Sequence, residues 1–401
     1  MRRFLCATLL SLMPGLTPGL ALADPLDLSQ EIRDTGITAT ESRLAAQEDL
    51  SAEEAFALAG LRFLGSIEQA LQLRWQVGLE ADWSELPILR LPIPPNPNAR
   101  ELTGQDISDL IAGVNAGMDG TRDALGQLGT ADFGLEIDLA DLWFDINADG
   151  RRNEGEDLAG VAAQMLGLWG AQLEPGMIVI RFDGSDAAWL SAYSHLISGV
   201  ATTFQAYDPG PATDLILTST KEMHALWGDT PPPNAWDMMF GKEVDRVAII
   251  LKALEQQPDP ALAAKAYGHF LSMIQENRRF WPLVEAETDN DREWVPNEKQ
   301  LSALGIQLPE GTAARWQAVL AEAEQLLKGE ILMPHWRYGA EAGISLKKLF
   351  DAPPKVDLVG MIQGEALLPY AEKGKVMTGQ AWSDFERLMQ GDAVMFAVFF
   401  N

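Results

Sequence analysis

The chain has one cysteine, Cys6, in 401 residues. Beyond it there can be no disulfide, no thiolate ligand and no nucleophilic thiol. Histidine is almost as scarce: His195, His224, His269 and His335. They are far apart in sequence, and none sits in an H-E-x-x-H run or at another metal-ligand spacing. There is no G-x-S-x-G elbow, and Gly241-Lys242 lacks the upstream glycine of a phosphate-binding loop. Positive charge is also short. Lys and Arg total 30 against 58 Asp and Glu, a formal charge of −28. That leaves no basic footprint for nucleic acid and no charge attraction to anionic lipid. It does favour divalent cations and solubility. Past the N-terminal segment, no apolar run is long enough for a transmembrane segment.

What is present begins with a secretory signal. Arg2 and Arg3 precede an apolar run broken by Pro14 and Pro18, and Ala21-Leu22-Ala23 offers an A-x-A cleavage site. Residues 1–23 read as a signal peptide cut after Ala23, which places 24–401 in the periplasm or outside the cell. All 12 tryptophans follow the cut, and the length supports a large core without crosslinks.

The apolar spacing is mostly helical. Residues 24–48 are weakly periodic. Ser51-Ala52-Glu53-Glu54 is a capping box opening a helix with Leu64, Ile67, Leu71 and Trp75 on one face and Gly78 as the stop. Prolines at 87, 92, 94, 95 and 97 make 87–100 an extended connector, either a boundary or an arm wrapping one domain. A helix is expected near 105–119, with Ile107, Leu110, Ile111, Val114 and Met118 on one face. Met177 to Phe182 reads as a strand. Asp183 to Asp186 opens a helix with Trp189, Tyr193, Leu196, Ile197, Val200 and Phe204 as its stripe. Proline-rich loops are expected at 208–213 and 230–234.

Further helices carry Val244, Val247, Leu251 and Leu254; Tyr267, Leu271 and Ile274 after an Asp259-Pro260 start; and Trp316, Val319, Leu320, Ala323 and Leu327 over 312–328, stopped by Gly329. A last helix near 379–390 bears Trp382, Phe385 and Met389. The apolar end, Val394 to Phe400, is expected to be buried. The spacing predicts a mainly α fold: a single large helical domain over 24–401, an irregular multi-helix bundle with a few short strands near residues 145–156.

Those residues carry the chemistry. Asp145, Asn147 and Asp149 place side-chain oxygens at every second position, and Gly150 follows where the chain must turn. Arg151 offers a backbone carbonyl, Asn153 a side-chain oxygen or a water, and Glu156 a carboxylate with two oxygens. Ca²⁺ takes about six to eight oxygen ligands. Every fixed position of the D-x-[DN]-x-[DN]-G-x₅-E pattern is filled, so the stretch resembles the EF-hand family across these twelve positions. The resemblance implies one bound calcium ion held by Asp145, Asn147, Asp149, Arg151, Asn153 and Glu156. An acidic surface turn is the plain alternative.

Two features depart from the family. Arg152 stands where an aliphatic residue pairs sister loops, and 133–144 alternates like a strand rather than a helix. A lone loop is therefore expected, with an extended lead-in and an exit helix to Trp169 through Leu158, Val161 and Met165. Asp183 or Asp186 caps its helix or is brought in as an extra ligand. The rest of the chain loosely resembles large secreted bacterial helical proteins, which implies no activity.

Catalytic candidates are thin. Glu285 to Trp294 packs Glu287, Asp289, Asp291 and Glu293 closely. Such acids could do acid–base work, hold a second cation, or form a solvated loop. His335, in Met333 to Tyr338, could line a pocket or mark an aromatic hinge. His195 reads as a polar-face residue. Three functions stay open: an exported calcium-binding protein whose ion is chiefly structural, an envelope-directed hydrolase near 285–294 and His335, and a calcium-gated interaction module.

Overall fold

The computed structural model describes residues 28–79, 93–129, 132–158, 175–227 and 236–400. The expected signal at 1–23, the prolines at 87 and 92, the exit helix over 159–169 and the loop at 230–234 lie outside these residues. Within them the fold is mainly helical, with two antiparallel pairs of short strands.

The weakly periodic N-terminal stretch folds as α1 (Leu28–Thr35) and α2 (Ile37–Ala45). They meet at Gly36, whose φ is 86°; a Cβ there would strike the Trp143 indole at 2.9 Å. Helix α3 (Ala52–Val77) opens with the expected capping box. Glu54 N donates to Ser51 Oγ at 3.2 Å, and Ser51 N to Glu54 Oε2 at 3.0 Å. It ends at left-handed Gly78. Leu71 is fully buried on the expected stripe. The described part of the connector lies along the end of α3: Asn96 Nδ2 donates to Trp75 O, and Arg100 N to Gln76 O. Helix α4 (Gly104–Leu125) runs longer than expected and carries its own capping box, Thr103 with Asp106.

Strand β1 (Leu135–Asp138) pairs with β2 (Val179–Phe182), Leu135 opposite Phe182 and Asp138 opposite Val179. The strand-like lead-in and the Met177 to Phe182 run thus lie side by side. Helix α5 (Gly184–Tyr207) starts at the Asp183 cap. Its buried face differs from the expected one: Val200 and Phe204 are exposed, while Ala188, Ala192, Ser194, Ser198, Gly199 and Thr202 are buried. The reason is close packing on α8 (Pro260–Ala286). At Gly199 a Cβ would come within 2.7 Å of the Phe270 ring, so that face admits only small side chains.

The expected loop at 208–213 is incorrect: helix α6 (Pro209–Ala225) begins there. Asp208 ends α5 and caps α6 in one step, accepting from Gly210 N at 3.3 Å. Pro209 is then the first helical residue and Pro211 falls in the first turn, where a missing N–H costs no intrahelical bond. Helix α7 (Trp236–Leu254) forms as expected and packs on α6, yet Val244, Val247 and Leu251 face solvent.

Asp259 caps α8, accepting from Ala261 N at 2.7 Å. Helix α9 (Thr312–Lys328) ends at Gly329, as its spacing required. Strand β3 (Ala342–Ile344) pairs with β4 (Ala371–Lys373), around α10 (Leu346–Asp351) and α11 (Leu358–Gln363). Helices α12 (Gln380–Leu388) and α13 (Ala393–Phe400) finish the chain. The apolar end is only partly buried. Phe400 is enclosed, whereas Val394, Met395 and Val398 face out.

Two apolar cores result. One gathers α1 to α3, β1, β2 and the residues before position 147; the other gathers α8, α9, α12 and α13. Trp189 and Trp294 pack against both.

Candidate calcium loop

The loop is built from its two ends. After β1 the chain makes a short 3₁₀ turn, Leu139–Asp141, and then runs extended. Phe144 N donates to Glu156 O at 2.8 Å, and Leu158 N to Leu142 O at 3.0 Å, with Trp143 bridged to Asp157. The chain just before the loop is thereby clasped to the loop's last residue and the two beyond it. Trp143 pins the clasp to the core through Nε1 to Ile32 O at 3.0 Å. Helix α3 grips the first loop residue from two sides: Gln72 Nε2 donates to Asp145 O at 2.8 Å, and Asp145 N donates to Glu68 Oε2 at 2.9 Å.

Arg152 braces this stretch from outside. Its Nε donates to Asp157 at 2.6 Å and its Nη2 to Ala140 O at 2.7 Å, which ties the loop to its own lead-in.

Within the loop the side-chain oxygens accept from the loop's own N–H groups. Asp149 N donates to both Asp145 Oδ1 and Asn147 Oδ1, each at 3.0 Å, and Gly150 N donates to Asp145 Oδ2 at 2.8 Å. Asn153 Nδ2 lies 3.2 Å from both Asp149 oxygens and from Arg151 O. Glu156 reaches back to accept from Ile146 N at 3.0 Å and Asn153 N at 2.7 Å, and it is fully buried. Ala148, Gly150 and Gly155 all have positive φ, which produces the tight coil. Burial opposes ionisation of Asp149, but hydrogen bonds from Asn153, Arg151 N and Asn147 outweigh it and hold its carboxyl below the usual value. Glu68 is pushed up by burial first, and further by the charges of Asp145 and Glu156.

The donor set fits a hard cation: carboxylates, amide oxygens and one carbonyl. The bonded oxygens of Asp145, Asn147 and Glu156 each keep a second lone pair, whereas both Asp149 oxygens already accept twice. Among the described residues, no three His, Cys, Asp or Glu side chains form a group that could hold a metal ion. Asp145, Asp149 and Glu156 are three such side chains, and they are not gathered around one point in this structure.

The 285–294 run divides. Glu285, Asp289 and Asp291 are exposed. Glu293 turns inward, and Glu287 is half-buried with Oε1 enclosed and unpartnered. They meet Asp183 and Asp186, so the latter pair faces these acids and Ser185 rather than acting in the loop. Burial first, then Asp183 and Glu293, push the Glu287 carboxyl up to about 7 against Ser185 and Gln300. Burial likewise drives Asp186 well up. This four-acid meeting was invisible in sequence, because a fold alone brings position 186 to 287.

His335 has other neighbours, Met361 O at 3.1 Å and the Tyr338 ring, so it does not complete a site with those acids. His195 is not an isolated polar-face residue. Its Nδ1 lies 3.0 Å from His269 Nδ1 across α5 and α8, and burial and then Arg122 lower both rings to about 4. Comparison with family models, with curated proteins and with solved structures gave no match.

Proposed function

We propose that this is an exported protein that binds one Ca²⁺ at residues 145–156, chiefly for structure. What supports the reading is the complete twelve-residue oxygen pattern, with Asp145 and Asn147 both accepting from Asp149 N and the Glu156 carboxylate buried in the same loop. Asp145, Asn147, Asp149, Asn153 and Glu156 would hold the ion by side-chain oxygens and Arg151 by its carbonyl. The ion would supply positive charge where Glu68, Asp145 and Glu156 now repel one another. It would also join the lead-in strand to the chain beyond Glu156.

At an ion level of 100 times Kd, binding adds about 2.7 kcal/mol to stability. The test is thermal unfolding against Ca²⁺ concentration. Wild-type Tm should rise and Asp145→Ala should gain nothing from the ion, although its baseline also drops because two loop N–H groups lose their acceptor. No heat on calorimetric titration of Ca²⁺ into the wild type would sink the reading.

A second reading, acid–base catalysis by a hydrolase, draws on Glu287, whose carboxyl titrates near neutrality beside an unpartnered oxygen. It must do without His335. A calcium-gated module would add a change of shape, which solution scattering with and without chelator would detect.

A further inference from the structure

A cavity of about 460 Å³ lies against the first core. Its wall runs along α3 from Phe56 to Ile67, roughly 16 Å of helix at about 1.5 Å per residue. The described wall residues are aliphatic or aromatic, with Tyr193 the sole hydroxyl and no charged side chain among them. The space is half open, with Met395 and Val398 of its wall exposed, so a large apolar surface faces water there. The volume falls within the range of small-molecule sites. A continuous apolar wall of that length accommodates an extended chain.

Gly60 supplies the second observation. It sits inside α3 on the cavity wall, and a Cβ built there meets nothing within 4 Å. A mid-helix glycine costs stability relative to alanine. Neither packing nor a positive φ requires it here, and what it does is leave the space open.

We propose that this cavity binds one apolar acyl or alkyl chain whose polar end is uncharged. Among the described wall residues a carboxylate finds no counter-ion, and the acidity of the whole chain makes an anionic head still less welcome. Trp189 and Trp294 both line the space, so they report on an occupant. The proposal is independent of the calcium loop, although Leu142 and Leu158 at its clasp are also wall residues.

The probe is ω-bromododecanol, whose bromine quenches tryptophan emission on contact, titrated in Ca²⁺ and in chelator. Wild type should show saturable one-to-one quenching. Gly60→Leu should weaken it at least about tenfold, as expected when a site is overpacked, with a melting temperature no lower than wild type. Gly60→Ala should keep the binding and confirm that the helix tolerates the change. Absence of saturable quenching, or equal affinity in Gly60→Leu, overturns the proposal. So does a dimer in solution that takes up no probe, which would assign the surface to a second copy.

Discussion

Individual residues show most clearly what burial does to charge. Glu287 has an ordinary pKa of 4.5 and is pushed up to about 7. A carboxyl whose pKa is higher in the folded state keeps its proton better there. Its stabilisation is therefore full below about pH 4.5 and is lost as pH climbs through about 7. Glu287→Gln removes that slope and should stabilise by about 1 kcal/mol at alkaline pH, after allowing for solvent screening. Melting curves at acidic, neutral and alkaline pH check it: the gain must grow with pH. His195 and His269 behave in the opposite sense. Their folded values near 4 lie below the ordinary 6.5, so the stability they permit is lost as pH falls through that window.

Elements reveal which local signals were sufficient. Ser51 with Glu54, Asp259 with Pro260, and Gly78 and Gly329 after their helices were legible because a cap needs only neighbours in sequence. The same chemistry was misread at 208–213, where proline density suggested a loop and Asp208-Pro209 was in fact a cap and first turn. Arg152 belongs to this scale as well. It closes the loop onto Ala140 O and Asp157. Arg152→Ala should cost about 1 kcal/mol, the usual worth of such bonds, and should speed hydrogen exchange at the Leu158 amide. Unchanged protection there would mean that the clasp stands without the arginine.

The whole molecule is held by aromatic contacts between distant segments. Phe400 stacks edge-on to Trp281, and its carbonyl accepts from Asn277 Nδ2 at 2.6 Å. Trp189 Nε1 donates to Phe399 O at 2.8 Å, which connects α5 to the C-terminus. Phe400→Ala should destabilise by about 3–5 kcal/mol, the usual cost of removing a buried phenylalanine. Denaturant unfolding checks it. A loss below 1 kcal/mol, far under that usual cost, would mean that α13 is peripheral.

The amino-acid order alone determined the mainly α character, most helix ends and the oxygen spacing over 145–156, because each depends on residues within a few positions of one another. Only the tertiary structure decided which helix faces are buried, that small side chains line α5 against α8, and that Asp186 meets Glu287 and His195 meets His269. Those outcomes depend on how closely two distant segments approach, and no local pattern of side chains encodes that distance.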